Sequence, residues 1–243
     1  MGNSAVQEIL GFSDIPQNLH SSMHGVYEQH SERTPAMMVG LSESQMYDMR
    51  LFMENWQRNK YRYEIVSRST KMPAAVIAAI HWREASGNFN TYLHQGDPLG
   101  RPAVNHPRNI PVFYEWESAA IHALSQDYHK QNQNELEIDQ DTQNPNAIAT
   151  YAEAYNGLGY YQRGKPSPYV YAGTDQYSQG KYTSDGSYDP SAVDQQLGVM
   201  SMVGAISGLQ TQQSMNPQSI SPEFLWRKVC NGEKLLRTGS QGP

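Results

Sequence analysis

A chain of 243 residues with a formal net charge of −6 at pH 7 has no bulk electrostatic attraction for nucleic acid or an anionic membrane, and neither is expected as a partner. With 38% hydrophobic residues it holds no apolar stretch of membrane-spanning length, while 16 Tyr, 4 Trp and 5 Phe exclude a disordered chain. The single cysteine, Cys230, excludes an intrachain disulfide and reads as a half-buried helix residue, and no basic segment followed by an apolar run marks a signal peptide.

In chain order, residues 1–40 mix Gly, Pro, His and Ser and read as a loosely structured lead-in that packs on the domain. Ser42 with Gln45 is a capping-box pattern, after which Met46, Met49, Phe52, Met53 and Trp56 recur at helical spacing. A second helix is predicted over 61–68 and a third over 73–85, where Pro73 suits a first turn and Val76, Ile77, Ile80 and Trp82 make the segment nearly apolar. Residues 87–111, rich in Gly, Pro, Asn and His, read as a long loop, a length that in compact domains goes with function or disorder.

A helix is predicted over 115–127, followed by a polar surface excursion over 129–144. Pro145 opens a helix that stops at Gly157, and residues 159–186 form a loop-rich Tyr/Gly segment. Asp189 and Pro190 read as N-cap and first turn of a helix carrying Val193, Leu197, Met200, Met202, Val203 and Ile206. A short closing helix over 224–229 completes a domain spanning 41–230, with a tail at 231–243.

The most informative residues are His81-Trp82-Arg83-Glu84-Ala85-Ser86-Gly87. A carboxylate here closes an apolar helix, where the negative end of the helix dipole and apolar neighbours both disfavour ionisation. That raises its pKa, as a general acid requires at neutral pH. The competing reading is an exposed helix-end residue paired with Arg83 or another cation.

Arg83-Glu84-Ala85-Ser86-Gly87 resembles the Glu-Ser helix end of goose-type lysozymes and lytic transglycosylases, and Ala154-Tyr155-Asn156-Gly157 is similar to their Ala-Tyr-Asn-Ala-Gly element. The pattern continuing through Ser167-Pro168-Tyr169 and Lys181-Tyr182 also resembles lysozyme-like domains of bacterial peptidoglycan-degrading proteins, among them the C-terminal domain of antibacterial type VI secretion effectors. The resemblance implies a mainly α, lysozyme-like fold with the catalytic Glu at a helix end and a loop-rich cleft. It implies a muramidase that cleaves the β-1,4 bond between N-acetylmuramic acid and N-acetylglucosamine, with Glu84 as acid and Tyr155 and Asn156 positioning the glycan. The Gly-Leu-Met-Gln type segment of lytic transglycosylases is replaced by His94-Gln95-Gly96-Asp97-Pro98-Leu99-Gly100, which leaves a lytic transglycosylase giving anhydro products as an alternative. A non-catalytic wall-binding module is the more distant one.

A glycosidase usually needs a second group. Asp97, in a Gly/Pro-flanked turn that can fold back over the helix end, is the candidate, against the reading that it only caps its own turn. A one-carboxylate mechanism assisted by the substrate's acetamido group is the other route. Tyr92, Gln95, Tyr155, Asn156 and Tyr169 are the candidate glycan-binding residues, some of the tyrosines being core. No His-Glu-x-x-His or Cys-x-x-Cys spacing occurs, so neither a metal nor an organic cofactor is expected. The partners implied are peptidoglycan strands and an immunity protein, for a monomer secreted or delivered into a target cell's periplasm.

Overall fold

The computed structural model describes residues 15–184 and 186–215; the closing helix expected over 224–229, Cys230 and the tail lie outside the described residues. The chain is mainly helical, and most of the buried apolar side chains among the described residues, from Leu19 to Ile206, form one cluster. The first helix, α1 (Ser21–Arg33), falls where a loose lead-in was expected. Met23, Val26, Tyr27 and His30 are its buried residues, an i, i+3, i+4, i+7 face laid against a later helix, α6 (Pro145–Asn156). The His20 side chain caps it by accepting from the Ser22 amide.

Helix α2 (Glu43–Thr70) has the expected capping box at Ser42 and Gln45, but it runs unbroken for 28 residues where two helices were predicted. The polar stretch between Trp56 and Tyr61 contains no Gly or Pro, so nothing in it breaks a helix. On the outer face Arg50–Glu54, Glu54–Arg58 and Lys60–Glu64 are i,i+4 ion pairs. Helix α3 (Ala74–Ala85) packs against α2 and buries every residue from Val76 to Trp82. It ends at Ser86 (φ 50°) and Gly87 (φ 69°), whose amide reaches back to the His81 carbonyl. Only glycine fits at 87, because a Cβ would lie 2.6 Å from Asn55 Nδ2 and 2.9 Å from the Trp82 ring.

Beyond the long loop come α4 (Trp116–Leu124) and α5 (Asp127–Glu135), the second in place of the expected surface excursion. Helix α5 buries only polar residues, Asn132 and Gln133; Gln133 donates to the carbonyls of Thr70 (3.0 Å) and Ile138 (3.1 Å) and so ties the end of α2 to this segment. Helix α6 is capped by Asn144 and buries every residue from Asn146 to Ala154. The Tyr/Gly segment contains two short helices, α7 (Gly159–Gln162) and α8 (Pro168–Tyr171), and an antiparallel hairpin, β1 (Lys181–Ser184) with β2 (Ser187–Asp189), pairing Lys181 with Asp189 and Tyr182 with Tyr188. Asp189 does not cap a helix: its Oδ1 accepts from the Ser191 and Ala192 amides in a turn, and α9 (Val199–Met215) begins later, packed on α3 and α8.

One buried polar group bridges α1, α6 and α8. His30 Nδ1 lies 2.6 Å from the Tyr171 hydroxyl, and His30 Nε2 lies 3.7 Å from Glu153 Oε2. Burial, reinforced by the charge of Arg33, pushes His30 down to about 3 from an ordinary 6.5. Burial also pushes Glu153 up to about 8 from 4.5, against the opposing Tyr161 amide and Arg33. The acid and the imidazole are therefore both neutral near pH 6.

Above pH 4.5 the unfolded chain releases the Glu153 proton that the native state keeps until about 8, so stability falls as pH rises through that window. Below 6.5 the unfolded chain takes up a His30 proton that the native state refuses until about 3, which costs stability as pH falls. The two slopes cancel between 4.5 and 6.5, and stability is highest there. Thermal melts should show a loss of about 2 kcal/mol between pH 6.5 and 8, absent in Glu153→Gln. Parallel curves for the two proteins would contradict the assignment.

Candidate functional site

Glu84 sits in the last turn of α3, which is held from behind by aromatic packing. Tyr63, His81, Phe89 and Trp116 pack ring to ring with centroids 4.5–5.9 Å apart. His81, pushed down to about 4 by burial, lies with Nε2 3.1 Å from the Asn88 carbonyl and Nδ1 3.1 Å from the Tyr63 hydroxyl. Arg62 covers Phe89 at 4.0 Å and makes a two-pronged ion pair with Glu117. The turn after Glu84 is thus fixed by side chains from α2, α3 and α4.

Arg83 does not hydrogen-bond to Glu84. Its guanidinium donates to Asp194 Oδ2 (3.1 Å) and the Leu197 carbonyl (3.3 Å) and lies 4.9 Å over the Tyr169 ring. Glu84 Oε1 instead accepts from the Tyr169 hydroxyl at 2.9 Å. Burial raises the Glu84 carboxyl above its ordinary value, with the Tyr169 hydrogen bond and the Arg83 charge pulling the other way. Burial and the neighbouring Glu84 charge raise Tyr169 well above its usual range, so its hydroxyl keeps its proton and donates.

Tyr169 stacks on Tyr155 (6.5 Å, 22°), and Tyr155 stacks on His129 (4.6 Å, 23°), a row of rings leading from the carboxyl. Half-buried Glu84 thus presents a carboxyl raised by burial, beside a fixed hydroxyl at the end of this row. It suits proton donation to a neutral polar substrate. Tyr169→Phe removes a contact that favours the ionised acid. The alkaline limb of any activity that needs protonated Glu84 should therefore move to higher pH in this variant; a shift to lower pH would contradict the geometry.

The other predicted residues divide. The turn carrying Asp97 does fold over the helix end: a Cβ on Gly96 would lie 3.4 Å from the Glu84 carbonyl oxygen. The Asp97 carboxylate, however, is engaged by the Asn105 amide (2.9 Å), the Val104 amide (2.8 Å), Asn105 Nδ2 (2.7 Å) and Gln95 Nε2 (3.4 Å). These donors hold it below the usual carboxylate range, and the arrangement fits the turn-holding reading better than a second catalytic group. Gln95 is half-buried beside it.

Tyr92 is a correction. It is 0% exposed, its hydroxyl donates to the Arg101 carbonyl (2.8 Å) and accepts from the Phe113 amide (3.1 Å), so it clasps the loop and offers no face to a ligand. Tyr155 and Tyr169 come together at Glu84, but Tyr169 is buried and, like Tyr92, offers no ring face to a ligand, reaching Glu84 through its hydroxyl; Tyr155 is half-buried, and Asn156 is exposed next to it at the end of α6.

Sequence reasoning missed His129 and the redirection of Arg83. Neither had a local signal, since His129 stands in a polar stretch and Asp194 is far from Arg83 in the chain. His94 Nε2 and His122 Nδ1 lie 2.9 Å apart, but among the described residues no group of three or more His, Cys, Asp or Glu is placed to hold a metal ion. No helix among the described residues is long and apolar enough to cross a membrane. No protein-family model matches the sequence, and no curated protein or solved structure matches it significantly.

Proposed function

We propose that this protein is a lysozyme-like peptidoglycan muramidase in which Glu84 protonates the glycosidic oxygen between N-acetylmuramic acid and N-acetylglucosamine. The observation that carries the reading is the half-open, burial-raised Glu84 carboxyl at the end of an apolar helix, held by Tyr169 beside the Tyr155 ring. As the C–O bond breaks, the Glu84 proton goes to the leaving oxygen. With Asp97 committed to its loop, the substrate's own acetamido oxygen is the group that meets the anomeric carbon. The Glu84 carboxylate then takes a proton from the water that opens this intermediate.

The engagement of Asp97 also favours a second reading, a lytic transglycosylase. There the muramyl C6 hydroxyl replaces water and gives its proton to Glu84, leaving an anhydro end. In both readings the substrate is the glycan strand of peptidoglycan, reached in the periplasm of a target cell, and an immunity protein is the expected inhibitor. Digestion of purified sacculi followed by borohydride reduction and mass spectrometry tests the proposal. Reduced N-acetylmuramic acid ends support the muramidase, anhydro ends support the transglycosylase, and reduced N-acetylglucosamine ends would overturn the bond specificity of both.

A further inference from the structure

A surface pocket of about 230 Å³ is lined by Asp48, Trp82, Ser86, Gln195 and Gln196. Trp82 lines it from the last turns of α3 and Ser86 from the turn that ends the helix, whereas Glu84 is two positions from Trp82, about 200° round the helix. The pocket therefore opens on the side of the helix away from the carboxyl described above. We propose that it is a separate binding site for one sugar unit of a neutral, N-acetylated glycan.

Its lining is built rather than incidental. Trp82 Nε1 donates to Asp48 Oδ1 (3.2 Å), and the indole is fixed in turn against Gly87 and the edge of Phe52. The Ser44 hydroxyl donates to Gln195 Oε1 (3.0 Å), which leaves the Gln195 amide nitrogen as a donor. The Gln196 backbone amide donates to Asp194 Oδ1 (3.1 Å), and Asp194 is anchored by Arg83, so the strand of chain forming this wall is pinned to α3.

The chemistry selects the ligand class. Two side-chain amides, a hydroxyl and a carboxylate supply mixed donors and acceptors beside the small exposed part of the Trp82 indole, the combination that meets vicinal hydroxyls and an acetamido group. Asp48 is the pocket's one ionisable residue. Burial lifts its carboxyl above the ordinary value, against the Trp82 hydrogen bond, the Leu197 amide and the charge of Arg83. Asp48 Oδ1 is already taken by the Trp82 indole N–H, and the rest of the polar lining is uncharged, which favours a neutral polar ligand.

The inference does not rest on Glu84 acting as an acid, so it is tested in the Glu84→Gln background. The ¹⁵N-labelled chain is titrated with N,N′,N″-triacetylchitotriose, following the Trp82 indole N–H resonance, assigned by Trp82→Phe. A saturable shift is expected, weakened about fivefold or more by Asp48→Asn and by Gln196→Ala, the weight of one hydrogen bond or more. Gln196 is exposed, so its replacement leaves the fold intact. An unmoved indole resonance, or identical titrations in the Gln196→Ala chain, overturns the proposal. So does a shift produced by methylammonium and not by the trisaccharide.

Discussion

Glu84→Gln should slow the solubilisation of purified peptidoglycan by about 10²–10⁴-fold, the contribution of a positioned general acid. Glutamine keeps the shape of the side chain and an oxygen that can accept from Tyr169, as Glu84 Oε1 does at 2.9 Å. It loses only the transferable proton. The loss should appear in kcat with little change in KM, and the circular dichroism spectrum and melting temperature should match wild type. A variant that retains more than about a tenth of the rate would show that the proton comes from another group.

Trp116→Ala should destabilise the fold by about 3–5 kcal/mol, seen as a melting temperature lower by roughly 10 °C. Trp116 is 1% exposed and sits edge-on to Tyr63 and Phe89 and 4.5 Å from the His81 ring, so its removal leaves a cavity bounded by rings from three segments. The same rings hold the turn that follows Glu84, through His81 and the Asn88 carbonyl. Activity measured well below the new melting temperature should therefore fall as well. A stability loss under about 1 kcal/mol would mean that the cluster collapses around the gap and is not the brace described here.

The parts of this molecule that could be read from sequence are those where a local rule and the core agree. Helix α3 is apolar up to its last turns and bounded by Pro73 and Gly87, and α6 is bounded by Asn144-Pro145 and Gly157, so both follow from caps and composition. Helix α5 escaped because its buried residues are all polar, Gln133 being held by the Thr70 and Ile138 carbonyls, and no apolar period announces it. Helix α1 has a short apolar set, Met23, Val26 and Tyr27, but it lies in a Gly, His and Ser-rich stretch and is completed by His30, buried against Tyr171. Asp189-Pro190 has the right residues for a helix start, but the hairpin claims Asp189 first.

The candidate site was legible to the same degree. The end of an apolar helix singled out Glu84 as one of two readings and the resemblance favoured the acid, while Tyr155 came from the resemblance and Tyr169 from the tyrosines read as glycan-binding. Tyr92 was misread because a tyrosine's exposure depends on what its hydroxyl can reach, here Arg101 and Phe113, across a loop with no periodicity. Asp97 was ambiguous for a related reason: the donors that occupy it, at Val104 and Asn105, come from the far side of its own loop. Arg83 lost its place as the partner of Glu84 because Asp194 reaches it from more than a hundred residues away.

The measurement that bears most directly on the proposed function is the incubation of the wild-type protein with purified Gram-negative sacculi, assaying sugar released into the supernatant and protein sedimenting with the pellet. Clearing of the suspension and release of soluble muropeptides are expected. Sacculi left intact with the protein bound to them would contradict it and make the chain a wall-binding module in which Glu84 performs no chemistry.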